Sequence, residues 1–262
     1  MTSRPDPHRR EDRDDLDGDH QLAAQIAHAA GELLLSLRER IDDPARLRAA
    51  GDRESNELIL DRLRAARPDD AILSEEAPDD GRRSSADRVW VVDPLDGTRE
   101  FGEAGRTDWA VHVALAIGGR AVAGAVALPA RDLVLSSRPA PAVPPAKPGK
   151  VRLLVSRSRP PALASRLAEI IDGELVPMGS AGAKAMAVVL GEGDVYAHSG
   201  GQYQWDSAAP VAVAAAAGLH TSRLDGSPLY YGGGDAWLPD LLVCRPELAE
   251  TVQSALVRAQ SD

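Results

Sequence analysis

Two carboxylates three residues apart close an apolar run: Trp90-Val91-Val92-Asp93-Pro94-Leu95-Asp96-Gly97-Thr98. The run reads as a buried strand that delivers Asp93 and Asp96 onto a turn at its C-terminal end, at Asp93. Pro94 fixes φ there, so the turn costs less entropy to hold. Gly97 has no side chain, which lets backbone N–H groups approach a ligand closely, and Thr98 adds a hydroxyl. If a helix begins after Gly97, its free N–H groups and the positive end of its dipole face the same spot. Together these residues could hold a hard cation beside a phosphate. An ordinary Asp-Gly turn between two elements is the plain alternative.

Two further segments weigh against that alternative. Ser74-Glu75-Glu76 follows the short strand Ala71-Ile72-Leu73, and Asp206 follows Trp205 at a helix start. Like charges ~4 Å apart at an effective dielectric near 20 repel by roughly 4 kcal/mol per pair. Four acids gathered in space therefore call for a cation. An all-oxygen set with no His pair favours Mg²⁺ over zinc.

The elements that must position these acids can be read along the chain. Apolar residues recur helically from Leu22 to Leu37, and a second helix is expected from about Glu54 to Ala66. Strand-like runs at 89–92, 109–117, 121–128 and 133–136 suggest a meander. Arg138 to Lys150 carries five prolines and is the natural boundary. Beyond it strands (153–155, 174–177, 194–197) alternate with helices (161–171, 181–190, 206–217), the pattern of an α/β half. The expected organisation is a disordered tail (1–19), an α+β half (20–137), a Pro-rich connection (138–150) and an α/β half (151–262).

Composition bounds the function. Hydrophobic residues make up 44% but aromatics only 3%, so the core must be aliphatic. A net charge of -10 gives no electrostatic grip on a long nucleic acid. The single cysteine, Cys244, excludes an intrachain disulfide. No leader or membrane span is read, and the expected location is the cytoplasm. The acidic stretch Asp12 to Asp19 fails as a calcium loop, because Arg13 and Ala24 would fall at ligand positions. His28, His112, His198 and His220 lack metal-ligand spacing and receive no role. Gly232-Gly233-Gly234 reads as a flexible turn.

Glu-Glu, then Asp-Pro-Leu-Asp-Gly-Thr-x-x-Phe, then Trp-Asp-x-x-Ala occur here in an order and spacing that resemble the inositol monophosphatase superfamily, from about residue 20 to 250. The resemblance implies a layered αβαβα sandwich and a phosphomonoesterase using two or three Mg²⁺ ions per site. It also implies in-line attack by water, Li⁺ inhibition and a homodimer. It assigns Glu75, Asp93 and the Leu95 carbonyl to the metal that activates the water. Asp93, Asp96 and Asp206 would hold the metal at the leaving oxygen. Asp52, at the family's helix-start position, would pair with Thr98 to take the water's proton, although Ala50-Gly51 replaces the Thr or Ala usual before it. The Gly97 and Thr98 amides would bind phosphate.

Three segments are similar to the family's 3′-phosphoadenosine-5′-phosphate phosphatases: Ser156-Arg157-Ser158-Arg159, Ala181-Gly182-Ala183-Lys184 and Trp205-Asp206-Ser207-Ala208-Ala209-Pro210. Arg159 stands where that branch has His. The implied substrate contacts are Leu95, Asp96, Gly97, Thr98, Ser156, Arg157, Ser158, Arg159, Gly182, Lys184 and Asp206. Cations at Arg157, Arg159 and Lys184 suit a nucleotide's second phosphate. Tyr203 and the preceding Ser199-Gly200-Gly201 could line the sugar or base side. The expected reaction is removal of the 3′-phosphate of 3′-phosphoadenosine 5′-phosphate or its sulfated form, linked to sulfate assimilation. The rivals are an inositol-phosphate or fructose-1,6-bisphosphate phosphatase, a non-catalytic ligand sensor, and a structural metal site. Under the enzyme reading, Asp96→Asn should be inactive but stabilised without metal, since it relieves repulsion.

Overall fold

A computed structural model of the chain describes residues 7–158 and 160–261. Helices α1 (Pro7–Arg40) and α2 (Pro44–Ala66) come first. Five strands then form a sheet in sequence order: β1 (Ala71–Ser74), β2 (Arg88–Asp96), β3 (Ala110–Ile117), β4 (Arg120–Leu128) and β5 (Leu133–Ser136). Only the β1–β2 pairing is parallel. A single helical turn, α3 (Thr98–Phe101), leads out of β2. After the Pro-rich stretch come β6 (Val151–Ser156), α4 (Ala162–Ile170), β7 (Gly173–Met178), α5 (Ala181–Val189), β8 (Val195–Tyr203), α6 (Gln204–Ala216), β9 (His220–Ser222), β10 (Trp237–Cys244) and α7 (Ala249–Ser261). The second sheet has the order β7-β6-β8-β10-β9.

Alternation along the strands builds the layers. Trp90 and Val92 of β2 pack on the aliphatic stripe of α1 and α2, with Ile26, Leu34, Ile59 and Leu63. Val89 and Val91 point the other way, into a core shared with α5, α6 and the second sheet through Leu154, Tyr196, Leu241 and Val243. Leu153, Val195 and Leu242 face α4 and α7 on the far side. The architecture is thus the expected αβαβα sandwich. The continuous apolar run in β2 follows from burial on both faces. β9, β10 and α7 had no counterpart in the sequence reading.

Several boundaries differ. The segment expected as a solvated tail through Asp19 is helical from Pro7. Asp19 is fully buried, and its two oxygens accept from Arg67 Nε at 2.8 Å and Arg88 Nη2 at 2.9 Å. Polarity does not prevent ordering when partners from α2 and β2 complete the pairing. Asp19→Asn should cost about 2 kcal/mol, measured by urea unfolding, because Arg67 and Arg88 each lose a charged acceptor while Arg88 keeps Asp70. The second helix starts ten residues early, at Pro44, where Asp43 accepts from Arg46 N at 2.7 Å and Pro suits the first turn. Gly232-Gly233-Gly234 is pinned rather than flexible: Arg83 donates to the Gly232 and Gly234 carbonyls and the Gln204 side chain to that of Gly233.

Candidate active site

β2 runs on past Asp93 to Asp96. Asp93 pairs with His112 and Asp96 with Ala110, so three steps on β2 match two on β3. This bulge decides the site. In an unbroken strand, residues three apart face opposite sides; the extra residue reverses parity and brings both carboxylates together. Asp93 Oδ1 accepts from Leu95 N at 3.0 Å, and Ser55 Oγ donates to the Pro94 carbonyl at 2.7 Å, holding the bulge.

The other acids arrive from neighbouring element ends. Ser74 is in register with Val92, and Glu75 N donates to the Val92 carbonyl at 3.2 Å, so Glu75 stands beside Asp93. Asp206 lies in the first turn of α6, where its Oδ2 accepts from Tyr203 N at 2.6 Å. Carboxylate oxygens of Asp93, Asp96 and Asp206 all lie within 4.8 Å of one another. Glu75 is outside this trio and joins it through Asp93. The all-oxygen set fits a hard cation.

Asp52 is not at a helix start but in mid-α2. It reaches the site because Gly51 lets α2 press against β2 and α3: a Cβ there would meet Phe101 Cε1 at 2.7 Å and Leu95 Cδ2 at 2.9 Å. Thr98 Oγ1 lies 3.1 Å from both Asp52 Oδ1 and the Leu95 carbonyl. A single hydroxyl hydrogen thus faces two acceptors.

Crowding sets the charges. Burial pushes the Asp93 carboxyl well above its ordinary range, and Asp96, Glu75 and Asp206 push further. Burial and then Asp206 raise Glu75 to about 7, against a hydrogen bond with Asp93; two carboxyls can make that bond only by sharing a proton. Burial and Asp96 raise Asp206 to about 6. Burial raises Asp52 to about 6, opposed by the Thr98 bond. Asp96 goes the other way: burial is outweighed by His112, Ser180 and Gly182, which hold it at about 2. Ser180 Oγ and Gly182 N both donate to its Oδ2 at 2.5 Å, and Ala181 N donates to Oδ1 at 3.1 Å. Three donors leave Oδ1 a lone pair for a cation.

Beside the acids lies a cleft of about 330 Å³, whose lining includes Asp96, Gly97, Ser156, Lys184, Tyr203, Asp206 and Trp237. The Tyr203 and Trp205 rings stack 4.7 Å apart, and Trp237 meets Tyr203 edge-on at 5.7 Å. Several expected contacts are otherwise engaged. The Gly182 amide serves Asp96, so it is not offered to a substrate. Arg157 Nη2 donates to Asp108 Oδ2 at 2.8 Å, and Ser158 is exposed away from the cleft lining. Lys184 Nζ lies 3.1 Å from the Gly179 carbonyl and 2.5 Å from that of Ser180. Arg159 lies outside the described residues.

The sequence matches the inositol monophosphatase family over residues 19–141 and 148–260. The chain belongs to that family. The 3′-phosphoadenosine 5′-phosphate phosphatase of Mycobacterium leprae (strain TN) is 54% identical over 249 residues, covering 88% of this chain and 90% of that protein. The 3′(2′),5′-bisphosphate nucleotidase CysQ of Escherichia coli (strain K12) is 34% identical over 203 residues, covering 72% and 81%. The inositol monophosphatase from Anabaena (Nostoc) sp. PCC 7120 superposes with a TM-score of 0.76 at 23% identity over 93% of this chain and 97% of that one, which shows a shared fold. Among the described residues of this inositol monophosphatase family member, no helix is long and apolar enough to cross a membrane.

Sequence reasoning passed over His112 and Trp237. His112 is the lone polar residue in the apolar run of β3, and that interruption is the signal that could have found it. Trp237 reaches the cleft only through the pairing of β10 with β8, where it sits opposite Tyr203. Spacing carries no trace of that.

Proposed function

We propose that this chain is a Mg²⁺-dependent phosphomonoesterase that removes the 3′-phosphate of 3′-phosphoadenosine 5′-phosphate, and of its sulfated form. The carrying observation is the 54% identity, across nearly the whole chain, to a relative bearing that name. The cleft supports it. Tyr203 and Trp237, each 45% exposed, offer flat faces to a nucleobase, a contact worth about 1–3 kcal/mol per base. Ser156 and Lys184 stand on the same cleft wall, polar groups beside those rings. An inositol ring has no flat π-face to stack on them.

Mg²⁺, when bound by Asp93, Asp96, Asp206, Glu75 and the Leu95 carbonyl, supplies a Lewis acid that acidifies water and neutralises phosphoryl charge. The chain's own groups do the rest. Asp52 holds Thr98 Oγ1 and is poised near neutrality to accept a proton passed through that hydroxyl. The Gly97 and Thr98 amides, at the first turn of α3, are placed to orient the phosphate. Lys184, buried at the cleft wall, adds positive potential for a second phosphate. Li⁺ inhibition, a homodimer and a cytoplasmic setting complete the reading.

Phosphate release with Mg²⁺ from 3′-phosphoadenosine 5′-phosphate, inositol 1-phosphate and fructose 1,6-bisphosphate tests it. The nucleotide should win in kcat/KM by at least about tenfold, matching one stacking contact. A preference for inositol phosphate would overturn the substrate assignment, and silence on all three would overturn the enzyme.

A further inference from the structure

We propose that His112 is a positioning residue that spaces the acid set across the two halves of the fold, its ring bonded to the start of α6 and wedged against Asp96 of β2. The ring is fully buried on β3. Its Nδ1 lies 3.0 Å from the Trp205 carbonyl, one residue before Asp206. A carbonyl only accepts, so Nδ1 carries the hydrogen. On the other edge, Nε2 faces Asp96 Oδ2 at 3.3 Å without completing a hydrogen bond. Asp93 Oδ2 stands 3.9 Å from Nδ1.

α5 closes the third side. A Cβ on residue 182 would sit 1.9 Å from His112 Nε2, so only glycine admits the ring. The same residue's amide holds Asp96 Oδ2 at 2.5 Å. β2, β3, α5 and α6 thus meet at one ring that cannot tilt without moving a carboxylate. Asp96 ends β2 and Asp206 begins α6, and no covalent neighbour sets their separation. A cation site tolerates displacements of about 0.5 Å, and losing the partner that orients a ligand typically costs 10–100-fold in metal affinity.

The inference rests on the acids binding Mg²⁺, and the test separates the two. Calorimetric titration of Mg²⁺ into the metal-free full chain is run for the parent, His112→Asn, His112→Gln, Gly182→Ala and the Gly182→Ala/His112→Asn double variant, with kcat at saturating Mg²⁺ and urea unfolding in EDTA. Asn can keep the Trp205 bond but not the Asp96 contact; Gln can do the reverse. Both should weaken Mg²⁺ at least tenfold, while kcat at saturating Mg²⁺ stays within a few-fold. Gly182→Ala should do the same alone and add little in the His112→Asn background, where the ring it strikes is gone. Parent-like Mg²⁺ affinity in either folded His112 variant, or fully additive effects, would overturn the proposal. If one His112 variant fails to fold, the other and Gly182→Ala decide. A parent that takes up no Mg²⁺ would instead overturn the metal reading itself.

Discussion

Asp93→Asn should lower phosphate release at least about 10³-fold, some 4 kcal/mol of barrier, while the metal-free protein becomes harder to unfold. Asp93 is the acid set deepest among the others: 1% exposed, flanked by Asp96, Glu75 and Asp206. Without a cation the fold must keep it protonated or bear the repulsion, and both cost stability near neutral pH. Asn keeps the shape, and its Oδ1 can still accept from Leu95 N, but it carries no charge to bind a cation. Asp96→Asn should also be inactive, yet the opposite holds for its stability. The sequence alone suggested relief of repulsion there. The structure overturns that, because the Asp96 oxygens accept from Ser180 Oγ, Ala181 N and Gly182 N. An amide NH₂ would be set against donors, at about 1–3 kcal/mol for each group left unsatisfied. Thermal unfolding in EDTA reads both signs, and a less stable Asp93→Asn protein would refute this account of the charges.

Without metal, the protein should lose stability as pH rises from 5 to 8, and Mg²⁺ should cancel the loss. Asp52 and Asp206 sit at about 6 in the fold and Glu75 at about 7, all above their ordinary values, with Asp93 also raised. An acid raised by folding binds its proton more tightly in the native state. Its contribution is complete below about pH 4 and is lost as pH climbs through 6 to 7. Asp52 and Asp206 contribute on the order of 2 kcal/mol each, after allowance for solvent screening. Asp96, held at about 2, is ionised throughout this range and adds no slope. Mg²⁺ competes with these protons, so its stabilisation should be small at pH 5 and several degrees in Tm at pH 8. Thermal scans with EDTA or Mg²⁺ check this; an Mg²⁺ stabilisation as large at pH 5 as at pH 8 would show that the acids do not crowd as described.

How far the sequence reached differs between strands and site. β1 to β5 were legible because hydrophobic runs and their Gly and Pro breaks are local signals. α1 was misjudged at its start because the charge that made residues 7–19 look solvated is, at Asp19, buried against Arg67 and Arg88 from far along the chain. Asp52 paired with Thr98 as the family resemblance implied, yet from mid-helix, through a close approach at Gly51 that no spacing reveals. Arg157 and Lys184 read as free cations, but ion pairing and backbone carbonyls engage them, since a side chain's partner is a tertiary fact.

By itself the sequence determined the identities of the acids, their order along the chain and the succession of strands and helices, since residue type and hydrophobic period are properties of short segments; the αβαβα layering was implied by the family resemblance. Only the tertiary structure decided which oxygens meet. Parity in β2 turns on one bulged residue, the trio forms where the end of β2 meets the start of α6, and the ring of His112 gains its place from four elements at once. Such choices follow from register and packing between segments that are not neighbours along the chain, where local preference carries no information.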